Sequence, residues 1–86
     1  MTEEICILGL LIRDRIKEAG RTQKVLTKYA RVIKSRLGFH EVTSDVCSRT
    51  GIIILQISGP PDICKVLQQE LSDIGGLEIQ KMVFSL

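Results

Sequence analysis

Residues 51–61 read Gly51-Ile52-Ile53-Ile54-Leu55-Gln56-Ile57-Ser58-Gly59-Pro60-Pro61, an apolar run closed by glycines and then broken by two prolines. This is the pattern of a buried strand handing over to a helix. Alternate positions place Ile53, Leu55 and Ile57 on one side and Ile52, Ile54 and Gln56 on the other. Both sides are largely apolar, so the strand is expected at the centre of a sheet. A second run, Ile5-Cys6-Ile7-Leu8-Gly9-Leu10-Leu11-Ile12, has the same two-sided character and predicts a central strand over about residues 5–13.

A helical pattern follows each of these strands. Behind the prolines, Ile63, Leu67, Leu71 and Ile74 recur at helical spacing. Pro60, Pro61 and Asp62 suit the start of that helix, and Gly75-Gly76 its end. From Ile16 to Ala30, Ile16, Ala19, Leu26 and Ala30 share one side of a 3.6-residue wheel, while Lys17, Arg21, Lys24 and Lys28 form a basic stripe opposite them. Residues 32–37 alternate as an edge strand with Gly38 at its end or in a bulge, residues 40–50 read as a hairpin loop, and Leu77–Leu86 as a last strand.

The predicted order is therefore β-α-β-β-α-β, an α+β ferredoxin-like sandwich in which a four-stranded antiparallel sheet carries two helices on one face. Right-handed crossovers place the first and third strands in the middle. Residues 1–86 make a single domain with an aliphatic core, since Trp is absent and Tyr29, Phe39 and Phe84 are the whole aromatic set. The face without helices is expected to be too apolar for water. Ile52, Ile54, Met82 and Phe84 are its candidate members, and a homo-oligomer, dimer or tetramer, is the expected way of covering it.

Composition narrows the compartment. No run reaches the length of a membrane span, and Met1-Thr2-Glu3-Glu4 lacks a basic signal-peptide start, so a cytoplasmic protein is expected. Cys6, Cys47 and Cys64 are odd in number and far apart, which argues against a disulfide framework and for reduced thiols, with Cys6 and Cys64 as small core residues.

Chemistry-bearing patterns are sparse. Nine of the twelve basic residues lie between Arg13 and Arg36 against only Asp14 and Glu18, giving that segment +7 and the remainder −5. Lys17, Arg21, Lys24 and Lys28 could face nucleic acid or an acidic partner; the plainer reading is the solvated back of a helix. An RNA-recognition motif shares this strand order, but its stacking aromatics are missing from residues 52–58. His40, Glu41, Asp45 and Cys47 fall together yet match no zinc spacing, so no metal or other cofactor is expected. The paired cysteines of copper chaperones are replaced by Arg13-Asp14-Arg15. An acylphosphatase needs a water-positioning asparagine, which this chain lacks throughout, and no enzyme is expected.

One family resemblance emerges from the residues. Asp14-Arg15, the block Val25-Leu26-Thr27-Lys28-Tyr29-Ala30-Arg31-Val32-Ile33-Lys34-Ser35-Arg36-Leu37-Gly38, the Gly51 strand and the Gly75-Gly76-Leu77 step together resemble the small iron-only hydrogenase system regulators. Those proteins are similar to ACT domains and to the ligand-binding domain of the nickel-responsive repressor. The resemblance implies an ACT-like fold, oligomers formed through strands or sheet faces, and a small-molecule effector at subunit interfaces. It does not carry the repressor's metal site, because His40 is the only histidine.

Overall fold

The computed structural model describes residues 4–42 and 47–86. The elements are β1 (Glu4–Ile12), α1 (Arg15–Lys28), β2 (Ile33–Val42), β3 (Cys47–Gly59), α2 (Pro61–Ile74) and β4 (Leu77–Ser85). They form one four-stranded sheet in the order β2-β3-β1-β4, antiparallel at every ladder. This is the ferredoxin-like α+β topology, with the two most apolar strands central.

Pleating divides β1 into two sets. Cys6, Leu8, Leu10 and Ile12 are buried, whereas Ile5, Ile7, Gly9 and Leu11 are half-buried. The buried set forms one core with Leu55 and Ile57 of β3, Leu26 of α1, and Cys64, Leu67 and Leu71 of α2. Both helices therefore lie on the same face of the sheet. Burying a large aliphatic side chain contributes roughly 1.5–3 kcal/mol, so this single layer of leucine and isoleucine is the main source of stability.

The helix ends follow local chemistry. The Asp14 carboxylate accepts from the backbone N–H groups of Ile16 and Lys17, both at 3.2 Å, and caps α1. α2 begins with Pro61 at its first helical position, where a missing N–H costs little. It is stopped by Gly75 and Gly76, whose φ values of +78° and +70° favour glycine.

Three expectations are corrected. β2 runs from Ile33 to Val42 instead of ending at Leu37, because the ladder with β3 continues through Gly38↔Ile53 and His40↔Gly51 to Val42↔Cys47. Gly38 is thus inside the strand, and the described residues of the expected 40–50 loop, 40–42 and 47–50, lie in β2 and β3. α1 buries a different side from the one its hydrophobic pattern suggests. Ile16 is 69% exposed and Ala30 is exposed, while Glu18 and Thr22 join Leu26 in the interior. Finally, Cys6 and Cys64 are core residues as expected, but they are joined as a disulfide with Cα atoms 6.7 Å apart. Separation along the chain concealed their meeting, which arises because α2 folds back over β1. The expectation of reduced thiols is therefore not met at these two positions.

Candidate functional site

Among the described residues no helix or loop covers the face of the sheet opposite α1 and α2, and the ladder registers map this bare face row by row. Across its four strands, Leu37, Ile54, Gly9 and Gln80 align; Ser35, Gln56, Ile7 and Met82 form the next row. Towards the other end of β1, Ser58, Ile5 and Phe84 align. Ile52, Leu11 and Glu78 complete the pattern on the far side of Gly9. All four residues expected at an interface, Ile52, Ile54, Met82 and Phe84, share this face. Leu37, Met82 and Phe84 are more than half exposed there, and Ile52 and Ile54 are half-buried.

Polar residues are few on this face. Ser35 Oγ donates to Gln56 Oε1 at 3.3 Å in one corner. In another, Glu78 accepts from Arg13 at 2.9 Å. Between them, Gly9 places no side chain on the central strand, and a depression of about 350 Å³ opens beside it. Ile7, Ile54, Gln80, Lys81 and Met82 line it together with Gly9. A Cβ at Gly9 would stand 3.7 Å from Ile54 Cδ1, an ordinary contact, so the fold tolerates a side chain there. The hollow is therefore a feature of this sequence. The two-sided apolarity of β1 and β3 revealed the face, but the hollow could have been found only by pairing Gly9 with Ile54 and Gln80 in register.

The basic residues of α1 form a weaker candidate. Lys17, Arg21, Lys24 and Lys28 are all exposed. Arg21, however, is hydrogen-bonded to the buried Glu18 carboxylate. Lys28 donates to Glu70 Oε1 at 2.8 Å and lies over the Tyr29 ring, 5.6 Å from its centre. Tyr29 Oη donates to the same carboxylate oxygen at 2.9 Å. These partners hold the Glu70 carboxyl below its usual range, with the Lys28 hydrogen bond the largest cause, and raise Lys28 through the same bond. Tyr29 is raised mainly by desolvation. Half of the stripe thus has carboxylate partners within the fold, which reduces what it offers to an outside anion.

The residues considered as metal ligands lie outside the described residues, Asp45 altogether and His40, Glu41 and Cys47 in their side chains. Among the described residues no cluster of three or more His, Cys, Asp or Glu could hold a metal ion, and no helix is long and apolar enough to cross a membrane.

Comparison with known proteins matches this geometry at the level of the fold. The uncharacterized protein TM1266 from Thermotoga maritima superimposes with a TM-score of 0.81 at 22% identity, over 95% of this chain and 98% of that one. CPII from Thiomonas intermedia K12, bound to ADP, AMP and acetate, gives 0.61 at 6% identity over 100% of this chain and 91% of its own; it is a nitrogen regulatory PII-like protein. The de novo designed protein Foldit4 gives 0.60 at 10% identity over 95% and 96%. No family model matches the chain, and no curated protein does. A designed protein among the neighbours shows that this topology by itself specifies no function.

Proposed function

We propose that the chain is a small, non-enzymatic regulatory module of the kind its resemblance to the iron-only hydrogenase system regulators implies, self-associating through the bare sheet face and holding a small effector between subunits. The observation that carries this reading is the alignment of Ile5, Ile7, Leu11, Ile52, Ile54, Met82 and Phe84 on one uncovered face around the Gly9 hollow. Contiguous apolar surface of this kind marks an interaction site. Packed against a second sheet, the hollow would become an enclosed pocket with Gln80 and Lys81 as its polar residues. The PII-like neighbour of the same fold is bound to ADP and AMP, so those nucleotides are the first effectors to try.

The test is sedimentation of the unmodified chain beside an Ile52→Lys, Ile54→Lys double variant. The unmodified chain is expected to self-associate and the variant to lose that association while keeping its circular dichroism, because both side chains lie away from the helix-covered core. A ligand that binds only the native assembly raises its apparent melting temperature, so an ADP or AMP shift should vanish in the variant. If the unmodified chain remains monomeric from micromolar to near-millimolar concentration, the sheet-face reading is wrong.

A further inference from the structure

Stacking on the bare face leaves one exposed element unexplained. β4 is an edge strand, and every residue beyond Ile79 is exposed on whichever side of the sheet it points. Met82 and Phe84, 59% and 53% exposed, lie on the bare face. Val83, 45% exposed, lies on the helix side opposite the buried Cys6. The helix layer therefore covers β1 at this level and stops one strand short of the edge. A sheet stacked below would cover Met82 and Phe84, but neither Val83 nor the unpaired backbone edge. A strand added beside β4 would cover all of these together.

The two edges of the sheet differ in the way that matters for strand addition. At the β2 edge, Lys34 and Arg36 are exposed and charged, a common protection against edge-to-edge pairing. Residues 81–85 of β4 carry a single charge, Lys81. The best complement of this segment is the segment itself. In an antiparallel pair across a two-fold axis, only registers that oppose residues of like parity keep each side chain on its proper face. Centring on Lys81 opposes two lysines, and centring on Met82 opposes Lys81 to Val83. Centring on Phe84 opposes Phe84 to itself but sets Val83 against Ser85, whereas centring on Val83 pairs Val83 with Val83 on the helix side, Met82 with Phe84 twice on the bare side, and Lys81 with Ser85. Such apolar cross-strand pairs are the unit of sheet stabilisation.

We propose that β4 pairs antiparallel with β4 of a second copy across a two-fold axis at Val83, joining the two four-stranded sheets edge to edge. The inference is independent of the sheet-face interface. Together the two surfaces would close a tetramer with three perpendicular two-fold axes, one dimer formed by edges and the other by faces.

Cysteine crosslinking tests both the pairing and its register. In a Cys6→Ala, Cys47→Ser, Cys64→Ala background, which removes the cysteine that faces Val83 in register and whose fold is checked by circular dichroism, Val83→Cys should form a disulfide-linked dimer on mild oxidation, because equivalent residues at the axis face one another. Gln80→Cys should not, since its equivalents would be separated by about 20 Å along the strands, far beyond disulfide reach. Val83→Lys, a change at an exposed position, should lower the sedimenting mass without altering the circular dichroism. Adding Ile54→Lys should leave the Val83→Cys crosslink intact, which separates this interface from the sheet face. The proposal is overturned if Val83→Cys fails to crosslink, if Gln80→Cys crosslinks equally well, or if Val83→Lys leaves the mass unchanged.

Discussion

The two helices are of equal length, fourteen residues each, and pack on the same face of the same sheet, yet they hold to it differently. α2 buries Cys64, Leu67 and Leu71, a purely apolar set at helical spacing. α1 buries Glu18, Thr22 and Leu26, two polar residues and one apolar. Its true inner side lies roughly a quarter-turn around the axis from the one its hydrophobic residues mark. The basic stripe therefore flanks the buried side, which is why Arg21 reaches Glu18 and Lys28 reaches Glu70 across the helix pair. One helix is held chiefly by burial, and the other by burial together with placed polar groups.

Truncation should expose this difference most strongly in α2. Leu71 is fully buried, and Leu71→Ala is expected to cost about 2–5 kcal/mol, the range for removing a core leucine and leaving a cavity. Urea denaturation measures it. Ile16→Ala, which removes an apolar residue of α1 exposed to 69%, should stay within about 0.5 kcal/mol of the unmodified chain. Equal losses at the two sites would show that the inner side of α1 has been placed wrongly.

A smaller effect of opposite sign is expected inside α1. Thr22 is 1% exposed and its hydroxyl has no hydrogen-bond partner among the described residues. An unsatisfied buried hydroxyl costs roughly 1–3 kcal/mol in proteins. Thr22→Val keeps the branched shape and removes the polar atom, so it should stabilise the fold by about 1 kcal/mol. Loss of stability in the same denaturation experiment would mean that the hydroxyl has a partner, such as a buried water.

The same contrast explains what could be read from the sequence. Strand order, central strands and α2 were legible because the apolar residues of β1, β3 and α2 recur at strand and helical spacing and are buried together in one core. The bare face was legible for the same reason, since alternation assigns Ile52 and Ile54 away from Leu55 and Ile57. Pattern reading failed where burial is not signalled by hydrophobicity: Glu18 enters the interior beside Gly76, where a Cβ on that glycine would come within 3.3 Å of Glu18 Cγ. The Cys6–Cys64 link and the length of β2 depend on contacts between distant segments, and neither leaves a local signature in the sequence.

The smallest expected effect lies where the helices meet. Glu70 of α2 accepts from Lys28 and Tyr29 of α1, and its folded-state pKa is depressed, first by the Lys28 hydrogen bond and then by that of Tyr29. A carboxyl depressed by folding contributes stability that is complete above its unfolded pKa and is lost as pH falls through its folded value. The contribution should therefore be present at neutral pH and disappear on acidification through the carboxylate range. Lys28 and Tyr29 are raised, so their contributions should be complete below their unfolded values and disappear as pH rises through their folded ones. The cluster is open to solvent, and salt should screen its effect. Glu70→Gln removes the acidic part of this dependence. Denaturation midpoints of the unmodified chain and of Glu70→Gln should differ at neutral pH and converge in acid; a difference that persists undiminished at low pH would mean that Glu70 stabilises the helix pair by packing, with its charge irrelevant.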